Sequence, residues 1–191
     1  MSNTIDYYNR NAVEYAEQTR AADVTDLYTH FEECLYPAAR ILDLGCGSGR
    51  DSRYFNERGY HVVPVDGSPE ICRMAAEYTK LPVRCLRFSE LDYIEDFDGI
   101  WACASLLHVP KQELPAVMEK VERALKADGV LYASFKYGKG EKITEGRHFS
   151  YYNEYDLNLL SNLGFIEYWI SEDVRSTHSS EKWLNTLWRK M

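Results

Sequence analysis

Three glycines at alternate positions, Gly45, Gly47 and Gly49, follow a short apolar run at residues 41–44. Glycine adopts positive φ angles without steric cost, and its missing Cβ lets a ligand approach the backbone closely. A tight turn between a strand and a helix needs both properties. The segment therefore predicts a strand, a glycine-rich turn and a helix that begins near Gly49, with a ligand bound at the turn.

An acidic residue, Asp66, ends the next apolar run, 17 residues after Gly49. In a doubly wound sheet, an acid at this place binds the hydroxyls of a ribose. The alternatives are a turn without a ligand and a helix cap at Asp66. NAD is a second candidate ligand, but the Gly-x-Gly-x-x-Gly pattern is absent, and Arg50 and Asp51 offer no clear pyrophosphate site.

From residue 40 onward, apolar runs alternate with helical patterns, which is typical of βαβ units and a parallel sheet. After residue 135, two apolar runs without a long helix between them predict an antiparallel hairpin. Residues 7–20 and 24–34 predict helices ahead of the sheet, residues 138–146 a loop and residues 154–163 a helix. The predicted strands are 41–44, 61–65, 83–88, 99–104, 130–135, 165–171 and 183–189, and the helices between them are 49–58, 69–78 and 112–125.

The 191 residues favour one domain, and a net charge of −8 disfavours nucleic acid and anionic membranes as partners. No apolar run approaches the roughly 20 residues that span a bilayer. The first ten residues lack the apolar stretch of a secretory signal. Five scattered cysteines without a Cys-x-x-Cys spacing predict reduced thiols in the cytoplasm and no metal site.

The order of acids and glycines resembles the signature of class I S-adenosylmethionine-dependent methyltransferases over residues 41–135. A narrower resemblance, to tellurite-resistance-type and other small-molecule methyltransferases, depends on chain size, the segment 106–108 and the short C-terminal half. The superfamily resemblance implies a Rossmann-like α/β fold whose seven-stranded mixed sheet is mostly parallel. Helices cover both faces, residues 1–36 form a helical lid, residues 40–135 the cofactor-binding core, and residues 136–191 a substrate loop and hairpin.

The resemblance also implies roles in binding S-adenosylmethionine. Asp43, Gly45, Cys46 and Gly47 would border its amino-acid end, and Asp66 would bind the ribose hydroxyls. The remaining candidates are Gly67 and Ser68 beside the adenosine, Phe88, Ser89 and Glu90 around the adenine, Cys103 near the methyl group, and Tyr15 and Arg20 of the lid.

His108 follows the fourth strand, where a base could take a proton from a methyl acceptor, although a structural histidine is the alternative. Tyr7, Tyr8 and Tyr151 are candidates for the acceptor pocket, or a half-buried stripe that only packs. Cations that could bind an anionic acceptor, or simply be solvated, are Lys136, Arg147 and Arg175.

The predicted function is therefore methyl transfer to a small molecule by in-line displacement, carried out by a monomer or homodimer. The acceptor would carry an anionic group if those cations converge. Two alternatives stay open. One is methylation of tRNA or another nucleic acid, and the other is a non-catalytic cofactor-binding or scaffold protein.

Overall fold

The computed structural model describes residues 2–156, 160, 163–173 and 181–191, and strands alternate with helices between residues 40 and 137. The helices are α1 (Ser2–Arg10), α2 (Ala12–Arg20), α3 (Thr25–Glu32), α4 (Arg50–Glu57), α5 (Pro69–Thr79) and α6 (Leu114–Ala124). The strands are β1 (Arg40–Leu44), β2 (His61–Asp66), β3 (Arg84–Cys85), β4 (Phe97–Ala102), β5 (Leu125–Tyr137), β6 (Glu141–Thr144), β7 (Arg147–Tyr152), β8 (Gly164–Glu172) and β9 (Lys182–Arg189).

The sheet is mixed and mostly parallel, as predicted. Strands β3, β2, β1, β4 and β5 lie side by side in that order and run parallel. Strand β9 pairs antiparallel with β5, and β8 pairs antiparallel with β9, which confirms the C-terminal hairpin. The carboxyl ends of β1, β2, β4 and β5 therefore meet at one edge of the sheet, where α/β proteins place their ligands.

The described part of the chain contains nine strands instead of seven, because the predicted loop at 138–146 carries a hairpin. Strands β6 and β7 pair antiparallel, and β7 joins the end of β5 through Lys136 and Tyr151. Glu145 and Gly146 form the two-residue turn with φ angles of 53° and 80°. Positive φ at both positions suits a tight hairpin, so the glycine belongs to a turn between strands.

Three further element boundaries differ from the prediction. The helix predicted at 7–20 is two helices, because Asn11 has a φ of −113° and its side-chain amide donates to the Tyr7 carbonyl at 2.8 Å. Strand β3 is short, since the chain turns into a 3-10 helix at Phe88–Glu90. In the helix predicted at 154–163, Glu154–Asp156 forms a 3-10 turn, and residues 157–159 and 161–162 lie outside the described residues.

Aromatic side chains fill the layer between the sheet and helices α3 and α4. Trp101 of β4 stacks on Tyr132 of β5 with ring centroids 4.0 Å apart, and both are fully buried. Phe31 and Phe55 pack tilted or edge-on against Trp101 at 5.2 and 5.4 Å. Burial of several large aromatic rings, each worth roughly 1.5–3 kcal/mol, holds both helices on this face of the sheet.

A buried carboxylate, Asp51, joins this aromatic layer to the start of α4. It accepts hydrogen bonds from the Tyr28 hydroxyl at 2.6 Å and the Trp101 indole at 2.8 Å, and Arg50 pairs with it at 2.6 Å. Burial works against the charged form, but the guanidinium and the hydrogen bonds outweigh it and lower the pKa of Asp51. Three elements, α3, α4 and β4, thus meet at one charged group.

Replacing Asp51 with Ala should destabilise the fold by about 3–5 kcal/mol, because Arg50 and two buried donors would lose their acceptor. The exposed Glu57→Ala variant loses only its surface pair with Arg53 and should leave stability nearly unchanged. Urea unfolding of both variants measures the difference. Equal losses for the two variants would contradict the structural role of Asp51.

Candidate functional site

The glycine turn between β1 and α4 has the backbone that the sequence predicts. Gly45, Gly47 and Gly49 have φ angles of 80°, 53° and 81°. A Cβ on Gly45 would lie 2.5 Å from the Ser105 Cβ, and one on Gly47 would lie 2.9 Å from the Tyr15 hydroxyl. Side chains at the first two positions are therefore excluded both by conformation and by space.

The Asp66 carboxylate at the end of β2 faces this turn. One oxygen accepts a hydrogen bond from the Gly47 N–H at 3.1 Å, and the other accepts from the Ser68 N–H at 2.9 Å. Burial raises the pKa of Asp66, and these backbone donors oppose the rise. Each oxygen keeps a further lone pair, so the carboxylate can still accept two hydroxyl donors such as those of a ribose.

A cavity beside Asp66 brings together residues from the turn, the lid and the end of β4, and we call it the glycine-turn cavity. Phe88 and Ile71 supply apolar walls next to the carboxylate, a combination that fits a nucleoside. Of the residues predicted for cofactor binding, seven line this cavity. The complete lining is Thr4, Ile5, Tyr8, Tyr15, Gly45, Gly47, Asp66, Gly67, Ser68, Ile71, Arg87, Phe88, Ala104, Ser105 and His108.

Ser89 and Glu90 do not take the place predicted for them beside an adenine. Both are exposed, and the Glu90 carboxylate accepts a hydrogen bond from the Arg87 N–H at 2.9 Å, which closes its own 3-10 turn. Arg87 lines the cavity instead. No sequence signal predicts that Arg87 lines the cavity and that Ser89 and Glu90 do not, because the start of the 3-10 turn depends on where β3 ends.

Arg20 also has a different position from the one predicted. Its guanidinium donates to the Ser48 carbonyl at 3.1 and 3.2 Å and lies 4.0 Å over the Tyr78 ring. Arg50 makes the reverse connection, donating to the Thr19 carbonyl at 3.3 Å. These two arginines fasten the end of α2 to the glycine turn, so Arg20 anchors the lid instead of facing the cavity.

Three other predicted cofactor residues surround the turn. Asp43 is buried and accepts a hydrogen bond from the Ser52 hydroxyl at 2.5 Å, and burial raises its pKa. Cys46 and Cys103 line a side cleft that also borders Arg50. Burial raises the pKa of Cys103 to about 12 and that of Cys46 well above its ordinary value, so both thiols stay protonated.

Ala104 is the point at which the cavities meet. It lines the glycine-turn cavity, the side cleft and a third cavity described next, as does Tyr15 of the lid. Its φ of 51° lies in the left-handed region, and its N–H donates to the Ser134 hydroxyl at 2.8 Å. A strained residue held by a side chain at a junction of cavities is a feature of functional sites.

The third cavity, which we call the tyrosine cavity, lies between the lid and the β6–β7 hairpin and has a volume of about 460 Å³. That volume suits a small molecule. Five of the six residues predicted to bind an acceptor line it, and Arg175 lies outside the described residues. The five are Tyr7, Tyr8, Lys136, Arg147 and Tyr151.

His108 is hydrogen-bonded to Tyr8 in the wall of this cavity, and the His148 carbonyl fixes the tautomer of its imidazole. The His108 Nδ1 lies 2.7 Å from the His148 carbonyl oxygen, and its Nε2 lies 2.8 Å from the Tyr8 hydroxyl. A carbonyl oxygen can only accept, so Nδ1 carries the proton. The Nε2 lone pair therefore accepts the hydrogen bond that the Tyr8 hydroxyl donates.

Both groups are neutral at physiological pH. Burial lowers the pKa of His108 to about 4, and burial raises the pKa of Tyr8 to about 12 although Arg147 opposes that rise. An uncharged imidazole with a directed lone pair is the form that a general base requires.

Two cations enter the tyrosine cavity from β5 and β7. Lys136 pairs with Glu181 at 2.5 Å. The Arg147 guanidinium lies 4.1 Å over the Tyr7 ring and donates to Glu145 at 2.6 Å. Its Nε is buried and has no hydrogen-bond partner among the described residues. An unpaired buried donor costs about 1–3 kcal/mol, and a ligand with an acceptor oxygen would remove that cost.

Comparisons with known proteins find similarity to methyltransferases. The sequence profile of the methyltransferase domain family matches residues 41–129. An uncharacterized methyltransferase of Staphylococcus carnosus is 24% identical over 155 residues, covering 78% of this chain and 75% of the relative. Phosphoethanolamine N-methyltransferase 1 of Zea mays is 30% identical over 155 residues, covering 73% of this chain and 30% of the plant protein.

A solved structure extends the comparison to the whole fold. The 1,6-didemethyltoxoflavin-N1-methyltransferase of Burkholderia thailandensis, solved with 1,6-didemethyltoxoflavin and S-adenosylhomocysteine, matches with a TM-score of 0.82 and 21% identity. The match covers 100% of this chain and 88% of that chain, so the shared fold includes the lid and the C-terminal hairpin. No helix among the described residues is long and apolar enough to cross a membrane.

The depressed pKa of His108 predicts a pH dependence of stability. As the pH falls from 6.5 towards 4, the unfolded chain takes up a proton on this imidazole and the folded chain does not. Stability should therefore fall with pH in this window, by up to about 3 kcal/mol from this group. Denaturant unfolding at a series of pH values should show that His108→Gln removes this slope, whereas the exposed His61→Gln keeps it. A slope unchanged in His108→Gln would disprove the assignment.

Proposed function

We propose that the chain is a class I S-adenosylmethionine-dependent methyltransferase, and that it methylates a small acceptor that carries an anionic group and binds in the tyrosine cavity. The observation that carries the proposal is the position of Arg147. Arg147 lines the same cavity as the Tyr8–His108 pair, and its Nε is buried without a hydrogen-bond partner among the described residues. One cavity thus offers a cation for recognition and a neutral base for proton removal.

S-adenosylmethionine, when bound, supplies a methyl group on a positively charged sulfur. Asp66 would accept hydrogen bonds from the ribose hydroxyls, and Phe88 and Ile71 would enclose the adenine. The glycine turn leaves room for the amino-acid end, and Tyr15 covers Gly47 from the lid. Ala104 lines both cavities, so an acceptor in the tyrosine cavity would approach the methyl group beside this residue.

Tyr8 and His108 would remove the acceptor's proton. As the acceptor gives its proton to the Tyr8 oxygen, the hydroxyl passes its own proton to His108 Nε2, and the His148 carbonyl holds Nδ1–H in place. General base catalysis of this kind contributes about 10²–10⁴-fold. An acceptor without a proton to lose, such as the soft anion suggested by the tellurite-type resemblance, would use the pair only for orientation.

Arg147 would bind the anionic group of the acceptor. Its guanidinium is held in place by the Tyr7 ring and Glu145, and it keeps donors for a carboxylate or phosphate. The name of the maize relative, a phosphoethanolamine methyltransferase, supports a small acceptor that combines a nucleophile with an anionic group. The Burkholderia structure supports a small molecule in general, because it holds bound 1,6-didemethyltoxoflavin.

The proposal predicts that loss of Arg147 and loss of His108 change different kinetic constants. Release of S-adenosylhomocysteine would be measured over pairs of acceptors, each an anionic amine or alcohol and its neutral analogue. Arg147→Gln should raise KM for the anionic member about 10–100-fold, as expected for a charged hydrogen bond worth about 1.5–3 kcal/mol. His108→Gln should lower kcat about 10²–10⁴-fold for acceptors that lose a proton.

Arg53→Gln serves as the matched control, since it removes an exposed arginine that does not line the cavity. Equal KM changes for anionic and neutral acceptors would disprove recognition by Arg147. S-adenosylhomocysteine at 100 times its Kd should stabilise the fold by about 2.7 kcal/mol. Absence of that stabilisation would favour the scaffold alternative, and salt-sensitive binding of RNA would favour the nucleic-acid alternative.

A further inference from the structure

Two cysteines lie next to each other behind the ribose-binding end of the cavity. Strand β3 places Cys85 beside Asp66 in the parallel register of β2 and β3. Cys72 of α5 donates a hydrogen bond from Sγ to the Asp66 carbonyl oxygen at 3.3 Å and lies 4.0 Å from the Arg84 carbonyl oxygen. The two side chains are close enough to interact, since the Cys85 thiol is one of the groups that raise the pKa of Cys72.

The two thiols differ in their access to solvent. Cys85 is exposed, and Cys72 is buried. Burial, together with the nearby Asp66 carboxylate, raises the pKa of Cys72 and keeps it a thiol. The exposed sulfur of Cys85 is therefore the one that meets a dissolved oxidant, and Cys72 is the thiol within its reach.

We propose that Cys72 and Cys85 form a redox-active dithiol that hydrogen peroxide converts to an intramolecular disulfide, and that this disulfide weakens cofactor binding. In the first step, the Cys85 sulfur is oxidised to a sulfenic acid while the peroxide O–O bond breaks and one water leaves. In the second, the Cys72 sulfur displaces the hydroxyl group, an S–S bond forms, and the hydroxyl leaves with the Cys72 proton as a second water.

The link to the cofactor site follows from the elements that carry the two sulfurs. A disulfide requires a Cβ–Cβ separation of about 3.5–4.5 Å and a fixed dihedral angle, so it would set α5 against β3. The Cys72 thiol would also lose the proton that it donates to the Asp66 carbonyl. Ser68 and Ile71, which lie just before Cys72, line the glycine-turn cavity, and the Ser68 N–H holds the Asp66 carboxylate. A shift at the start of α5 therefore reaches the ribose site.

Oxidation of the dithiol and binding of S-adenosylhomocysteine are linked equilibria, so each changes the other by the same factor. We expect affinity for S-adenosylhomocysteine to fall about tenfold on oxidation, which corresponds to about 1.4 kcal/mol. Because coupling is reciprocal, bound S-adenosylhomocysteine should make the dithiol harder to oxidise by the same factor, or about 30 mV in reduction potential.

Peptide mapping tests the disulfide directly. The full chain would be treated with hydrogen peroxide, its free thiols blocked, and the protein digested without reductant. The wild type should give a linked peptide that contains Cys72 and Cys85 and is lighter by two hydrogens than the two thiol peptides together. Cys34→Ser, which removes a half-buried cysteine packed against the aromatic layer, should give the same product, and Cys85→Ser should not.

Calorimetric titration with S-adenosylhomocysteine tests the consequence. The oxidised wild type should bind about tenfold more weakly than the reduced protein, dithiothreitol should restore the affinity, and peroxide-treated Cys85→Ser should be unaffected. Oxidation of Cys85 to sulfinic acid without a link to Cys72 would overturn the dithiol. A disulfide that leaves the affinity unchanged would overturn its coupling to the cofactor. Neither measurement involves a methyl acceptor, so the outcome is independent of the proposed acceptor chemistry.

Discussion

The hydrogen bond from the Gly47 N–H to Asp66 is the contact on which the site depends. It joins the glycine turn after β1 to the end of β2, and it can form only because the backbone at Gly47 has a positive φ. The same carboxylate receives the Ser68 N–H, so the start of α5 is set by it as well. Two helices and two strands are thereby positioned around one carboxylate, and the cavity for a nucleoside is the space that remains.

The sequence was sufficient to predict the features that depend on backbone conformation, but not those that depend on strand pairing or side-chain packing. Glycines at alternate positions were sufficient to predict the turn, because the turn depends on backbone conformation. The acidic residue at the end of the next apolar run was sufficient to predict the place of Asp66, because that place depends on strand length. The β6–β7 hairpin was missed, since the pair Glu145 and Gly146 resembles any glycine-containing loop until its flanking strands are known to pair. Arg20 and Glu90 were misplaced because side-chain direction depends on packing: one lies against Tyr78, and the other closes a turn that begins where β3 ends.

The first two helices of the lid have different attachments. Helix α2 is fastened to the glycine turn by Arg20 and Arg50, whereas α1 contacts the walls of both cavities. The Asn9 side chain bonds to the Ser68 hydroxyl at 2.6 Å, and the Thr4 hydroxyl accepts the His148 N–H at 3.1 Å. The break at Asn11 separates the helix fixed to the glycine turn from the helix that contacts both cavities.

The hydrogen bond between Tyr8 and His108 joins residues 100 positions apart, one on the cover and one at the edge of the sheet. In the proposed mechanism the imidazole has its relay partner only while α1 is seated, so the seating of α1 and proton removal would be coupled. Each turnover would then begin with the formation of this one contact between α1 and the edge of the sheet.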